Sequence, residues 1–222
     1  MSYFKGETPD NYEQKCLCTL ILDTSGSMSN EPIRELNRGL QEFYAAVEED
    51  LIAANRLEVC IVTFGSEIKT IQEPALISQF DMPTLQVVGT TRLVDAVRVG
   101  MRKSEERKEW YKSTGQPYYR PLMVLITDGE PDKDQDVNGL SEEIRAAVEQ
   151  KKMIFWTLGV KGYNHALMQK ICPSSAPPLP LDGNKFSEFF QWLSNSIGII
   201  TKSTEGDNIN LPPVNDWAQM KF

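Results

Sequence analysis

The sequence predicts a three-layer α/β domain: a doubly wound, mostly parallel sheet with one antiparallel edge strand and helices on both faces. Two observations lead there. Four short apolar runs, at residues 16–22, 57–64, 122–127 and 153–160, lack the polar alternation of a half-exposed strand, so each is read as a strand buried on both faces, the pattern of parallel sheets. Between them stand longer stretches with apolar residues every three or four positions, the period of a helix that lays one face on a core. Strands that alternate with helices pair in parallel, because each connection is long enough to cross over the sheet.

Taken in order, residues 16–22 are the first strand and residues 33–54 the first helix, with Ile33, Leu36, Leu40, Phe43 and Val47 on its inner face. Residues 57–64 are the second strand. Residues 67–71 alternate, and Gly65-Ser66 before them offers the turn of a hairpin, so this segment is expected to fold back as the antiparallel edge. Residues 92–110 form a helix that grows highly charged towards its end. The third buried strand, 122–127, is followed by a helix at 141–151, with Ser141 as its expected N-cap. The fourth strand, 153–160, leads to a short helix at 164–171, a Pro- and Ser-rich loop at 173–180 and a short last strand at 179–181. Residues 185–201 close the domain as a helix with Phe186, Phe189, Phe190, Leu193 and Ile197 inward. No internal repeat is present. The chain thus divides into a polar N-terminal segment (1–15), one domain (16–202) and a tail (203–222). The tail is polar apart from Leu211, Trp217, Met220 and Phe222; Trp217 is read either as part of a solvated end or as folded back onto the body.

Composition excludes several classes. The 222 residues are 41% hydrophobic and 24% charged, enough for a sizeable core and too apolar for wholesale disorder. A formal net charge of −8 argues against nucleic acid and against anionic membrane surfaces. No run of 18 apolar residues is present and the N-terminus has no apolar signal core, so a cytoplasmic protein is expected. Cys16, Cys18, Cys60 and Cys172 are read as small buried hydrophobes in a reducing compartment. The single histidine, His165, starts a short helix and leaves zinc and histidine-based catalysis without their ligands.

Three separated pieces carry chemistry. The first strand ends in Asp23-Thr24-Ser25-Gly26-Ser27, a carboxylate and two hydroxyls at alternate positions on the turn into a helix. Gly89-Thr90-Thr91 immediately precedes another helix, and the third strand ends in Thr127-Asp128-Gly129. In an open α/β sheet all three fall at the carboxyl ends of the strands, where ligands bind. Their donors are hard oxygens, which suit Mg²⁺ or Mn²⁺. Asp132, Asp134, Asp136 and Glu143 also fall at positions 1, 3, 5 and 12 of a calcium loop, but Val137 stands where that loop needs glycine, so the segment is read as a solvated acidic loop. Trp110, Tyr111, Tyr118 and Tyr119 precede a strand and are read as core packing at the end of the sheet away from the metal.

In order and spacing, Asp23-x-Ser25-x-Ser27, the Thr after Gly89 and Thr127-Asp128-Gly129 resemble the metal-ion-dependent adhesion site of von Willebrand factor type A (vWA) domains. More narrowly, Tyr118-Tyr119-Arg120-Pro121 running into Ile126-Thr127-Asp128-Gly129-Glu130-Pro131, with Leu211-Pro212-Pro213 and Asp216-Trp217-Ala218 at the end, resembles the stand-alone bacterial vWA proteins related to the tellurium-resistance protein TerY. The resemblance implies Ser25, Ser27 and Thr91 as direct ligands of Mg²⁺, with Mn²⁺ or Ca²⁺ as alternatives, and Asp23 and Asp128 as carboxylates acting largely through water. Where the family has Gly-Gly-Thr this chain has Gly89-Thr90-Thr91; Thr91 is aligned with the ligand because Leu93 and Ala96 then fall in register, and Thr90 stays open as the alternative. The implied function is a non-enzymatic module that grips an Asp or Glu carboxylate of a protein partner through the metal, in a tellurite or other stress response.

The competing class is a Mg²⁺-dependent phosphoryl-transfer hydrolase, which also uses an aspartate at a strand end. That chemistry needs a second aspartate two residues after the nucleophile, and the position is Ser25. No phosphate-cradling Gly-x-x-x-x-Gly-Lys loop is present either.

Overall fold

The computed structural model describes residues 8–160, 162–203 and 211–214. Six strands form one sheet: β1 (Cys16–Asp23), β2 (Leu57–Phe64), β3 (Ile68–Leu76), β4 (Leu122–Thr127), β5 (Ile154–Gly159) and β6 (Leu179–Pro180). Their order across the sheet is β3-β2-β1-β4-β5-β6, all parallel except β3. The winding therefore reverses between β1 and β4, which leaves a crevice at their carboxyl ends. Leu22 lies beside Ile126 in that pairing, so Asp23 and Thr127, one residue further along each strand, end level with each other.

Alternate residues of the central strands feed two separate cores. Leu20, Leu22, Val124 and Ile126 face α1 (Glu31–Glu49) and α6 (Phe186–Lys202). Leu17, Ile21, Met123 and Leu125 face α3 (Leu93–Thr114), α4 (Val137–Glu149) and α5 (His165–Ile171). This is the three-layer arrangement the sequence predicts. Where α1 crosses α6, a Cβ on Gly39 would stand 2.7 Å from the Phe190 ring and 3.0 Å from the backbone of Phe186, so only glycine lets the helices approach this closely.

Several boundaries differ from expectation for identifiable reasons. The helix expected over 33–54 is two helices: Asp50 leaves the helical conformation and its Oδ1 accepts from the amides of Ile52 and Ala53, capping a new helix, α2 (Leu51–Arg56). The edge strand β3 extends five residues beyond the expected 71, through Pro74, which an edge strand with an irregular register tolerates. The α4 helix begins at Val137 instead of 141. Asp136 caps it by accepting from the Gly139 amide at 2.9 Å, while Ser141, the expected cap, is buried inside the helix and donates to the Lys170 carbonyl. The α3 helix runs past 110 to Thr114, and Gly115 ends it at φ 71°.

All four cysteines are buried and free of disulfides. At the pole opposite the crevice, Arg107 forms a bidentate pair with Glu58 at 2.7 and 2.8 Å. Tyr111 donates to Glu58 at 2.6 Å, and the Arg107 guanidinium lies 3.9 Å from the centre of the Trp110 ring. The aromatic residues expected to pack there do so, with Tyr118 stacked on Tyr111. Residues 211–214 lie against the core beside α6: Leu211 and Val214 pack on it and Trp192 Nε1 donates to the Pro212 carbonyl at 2.8 Å. Trp217 lies outside the described residues. Among the described residues, no helix is long and apolar enough to cross a membrane.

Candidate metal site

The β1 strand carries Asp23 to the mouth of the crevice on the α3 side of the sheet, where it is fully buried. Its Oδ1 accepts from the Ser25 amide at 2.8 Å and its Oδ2 from Thr127 Oγ1 at 2.6 Å. Beyond Asp23 the chain turns through a single 3-10 turn (Gly26–Met28), pinned by the buried Met28. That turn brings Ser25 Oγ to 3.0 Å from Ser27 Oγ, and Ser27 in turn donates to Asp128 Oδ1 at 2.7 Å. Four of the five residues singled out in the sequence are thus linked by hydrogen bonds across a separation of about one hundred positions.

Thr91 completes the group from a third loop. A Cβ placed on Gly129 would stand 3.4 Å from Thr91 Oγ1 and 3.5 Å from Asp23 Oδ2, so these two oxygens border a common space that the absence of a side chain at 129 keeps open. Thr90 is engaged elsewhere: its hydroxyl donates to Asp132 Oδ2 at 3.1 Å. The geometry therefore separates the two threonines that the sequence leaves open, with Thr91 beside Asp23 and Thr90 turned to the neighbouring loop.

The electrostatics are those of a site short of positive charge. Burial, reinforced by the nearby Asp128, pushes Asp23 up to about 6 in spite of the hydrogen bonds from Ser25 and Thr127. Burial also raises Asp128 above the usual carboxylate range, against the hydrogen bond from Ser27. Two carboxylates and three hydroxyls, with no thiol or imidazole, fit a hard divalent cation. Among the described residues, no group of three or more Asp, Glu, His or Cys is placed to hold a metal, so hydroxyls have to contribute to any cage here.

The acidic loop after β4 does not converge on one point. Asp134 pairs with Arg92 at 2.7 Å, Asp136 caps α4 and reaches Arg98 at 3.2 Å, and Glu143 reaches Arg98 at 2.8 Å. Those partners hold Asp134 and Asp136 below the usual carboxylate range, Asp134 chiefly through Arg92 and Asp136 chiefly through the Gly139 amide. His165 is exposed, and its Nδ1 lies 2.7 Å from the Tyr163 hydroxyl.

Two residues that shape the site are not among the five candidate ligands read from the sequence. Thr127 orients Asp23, and Asp132 holds the Thr91 loop. A signal for Thr127 exists: it is a lone hydroxyl closing an apolar strand, on the same face and at the same level as the buried Asp23 once β1 and β4 are paired.

The model of the von Willebrand factor type A domain matches residues 19–191. The chain belongs to the vWA family. A von Willebrand factor A domain-containing protein of Dictyostelium discoideum is 26% identical over 146 residues, which is 64% of this chain and 16% of that protein. The chain spans less than a fifth of the length of the curated relatives it matches. Among solved structures, the vWA fold of this chain is similar to the pilus adhesin SpaC of Lactobacillus rhamnosus GG, with a TM-score of 0.63, 14% identity and coverage of 87% of this chain and 32% of that one. It is also similar to the vWF domain of the type V pilus tip protein Mfa5 of Porphyromonas gingivalis, with a TM-score of 0.58, 9% identity and coverage of 89% and 99%. At these identities the likeness concerns the vWA fold alone.

Proposed function

We propose that this vWA domain is a non-enzymatic protein-interaction module whose metal-ion-dependent adhesion site, Asp23, Ser25, Ser27, Thr91 and Asp128, holds Mg²⁺, or Mn²⁺ or Ca²⁺ in its place, and through it a carboxylate of a protein partner. The observation that carries this reading is the connected oxygen set at the β1–β4 crevice, in which a fully buried aspartate has hydroxyl and amide donors but, among the described residues, no cationic side chain. A bound divalent cation supplies Lewis acidity towards an incoming carboxylate. Ser25, Ser27 and Thr91 contribute neutral oxygens, so the charge on the ion is offset only by the two aspartates. Thr127 keeps Asp23 aimed into the crevice. With a net charge of −8, long-range attraction of an acidic partner is absent, and the partner surface around its key acid is neutral or basic.

A hydrolase reading has less support. Ser25 occupies the position of the second aspartate, and both oxygens of Asp23 already accept hydrogen bonds, from the Ser25 amide and from Thr127. The acidic charge disfavours nucleic acid and anionic membranes as partners. The sequence resemblance to the TerY-related group supports a cytoplasmic bacterial setting in a tellurite or other stress response.

Titration calorimetry with Mn²⁺ and Mg²⁺ tests the site. The wild-type protein binds, the Asp23→Ala, Asp128→Ala double variant does not, and equal binding by both sinks the assignment. A displayed library of Asp- and Glu-containing peptides, selected in Mg²⁺ and eluted with EDTA, tests the carboxylate; selected peptides that bind as well after conversion of the acid to its amide overturn it.

A further inference from the structure

We propose that Asp132 is a positioning residue for the metal site, clamping the Thr90–Thr91 dipeptide so that Thr91 and not Thr90 presents its hydroxyl to the cation; this rests on the reading of the site given above. The segment between the short 3-10 turn at Ile77–Gln79 and α3 contains no helix or strand. Main-chain bonds hold Gly89 and Arg92 on either side, from the Gly26 amide to the Gly89 carbonyl and from the Arg92 amide to the Gly65 carbonyl, but no helix or strand pairing between them sets which of the two threonines faces Asp23. The chain bends at Gly89 and Thr90, and a rotation there would exchange the two hydroxyls.

Asp132 blocks that exchange with three hydrogen bonds. Its Oδ2 accepts from Thr90 Oγ1 at 3.1 Å and its Oδ1 from the Thr91 amide at 3.4 Å, while its own amide donates to the Thr91 carbonyl at 3.0 Å. Both carboxylate oxygens and the backbone of one residue thus close on the dipeptide. The opposite side is held by the β2–β3 turn. Ser66 Oγ accepts from the Thr90 amide at 3.0 Å, and the Ser66 amide donates to the Val88 carbonyl at 3.1 Å. Gly89 between them has φ 70°, and a Cβ there would stand 1.6 Å from Ser66 Oγ, so the turn and the loop fit only with glycine. Asp132 is the one acidic residue of its loop that bonds to this dipeptide; its neighbours Asp134 and Asp136 bond to Arg92 and Arg98.

A carboxylate so near the site has two ways to matter, by position and by charge, and the variants separate them. Asp132→Asn keeps an oxygen for the Thr91 amide and offers its own N–H to the Thr90 hydroxyl, so it preserves the clamp and removes the charge. Asp132→Ala removes both side-chain contacts. Thr90→Val removes one bond and leaves Asp132 intact, and serves as the second variant should Asp132→Ala not fold. The full chain is titrated with Mn²⁺, and amide exchange at Thr91 is followed in EDTA. The expected result is a loss of about 10–100-fold in Mn²⁺ affinity for Asp132→Ala, the size usual for residues that orient metal ligands, with a smaller loss for Thr90→Val. Thr91 exchange accelerates in Asp132→Ala, and both properties stay near wild type in Asp132→Asn. Wild-type affinity in Asp132→Ala overturns the clamp, as does an equal loss in Asp132→Asn, which would make charge the cause. A wild-type protein that binds no Mn²⁺ overturns the site itself, which distinguishes the two failures.

Discussion

In EDTA at pH 7.5 the folded protein holds an ionised Asp23 that has no exposed surface and, among the described residues, no cationic side chain bonded to it. The cost can be worked out. In the unfolded chain this carboxyl titrates near 4; in the fold, burial moves it to about 6. Between those pH values the native state holds a proton that the unfolded state has released, so stability falls as pH rises through the window and is level above it. A rise of about two pH units, at about 1.4 kcal/mol each, amounts to about 3 kcal/mol. Asp23→Asn, which mimics the protonated acid, should escape that fall. Its amide oxygen still accepts from Ser25, although the Thr127 hydroxyl must turn to accept instead of donate, so a net gain of about 1–3 kcal/mol is expected at pH 7.5 and close to none at pH 4.5. Urea unfolding of both proteins at the two pH values measures it, and a second series in Mg²⁺ at roughly 10-fold above the wild-type Kd should narrow the gap by about 1.4 kcal/mol, because only the wild type gains binding energy. Equal stability of the two proteins in EDTA at pH 7.5 would refute the argument, since it would mean that the buried carboxylate is already compensated.

Gly129→Ala places a methyl group at ordinary contact distance from Thr91 and Asp23, so it should unfold within about 1 kcal/mol of wild type yet lose most Mn²⁺ affinity in calorimetry. Glu58→Ala removes the bidentate carboxylate that pairs with the buried Arg107 guanidinium and should cost about 3–5 kcal/mol in urea unfolding, whereas the apolar pair Glu58→Leu, Arg107→Met should recover much of it. Trp192→Phe loses the bond to the Pro212 carbonyl; a destabilisation of about 1 kcal/mol with faster proteolysis near 211–214 is expected, and an unchanged cleavage rate would show that the returning chain is held by other contacts.

The buried strands were legible because a parallel strand covered on both faces leaves an uninterrupted apolar run, and Leu122–Thr127 shows the pattern without ambiguity. The five candidate ligands were legible because each stands at the end of a strand or the start of a helix, where chain order alone predicts the edge of the sheet. Helix ends were less so. Asp50 interrupts a continuous apolar periodicity with a side-chain cap, and Asp136 outcompetes Ser141 because it sits one residue ahead of the first helical turn. The supporting roles of Thr127 and Asp132 depend on which loops become neighbours, and Asp132 is some forty positions from the threonines it holds. The acidic loop, read from the sequence as solvated, instead has its carboxylates distributed among Thr90, Arg92 and Arg98.

The loops at the crevice are stitched to one another by main-chain bonds: the Val88 amide to the Thr24 carbonyl, the Gly26 amide to the Gly89 carbonyl, and the Asp132 amide to the Thr91 carbonyl. The oxygens they carry come from segments that meet only after β1, β2 and β4 have paired. No fragment of the chain can assemble them in advance. An ion held there is a ligand of the complete fold alone, and its binding reports folding as a single event. A titration followed at the crevice and a melting curve followed at the Glu58–Arg107 pole should therefore describe one and the same transition.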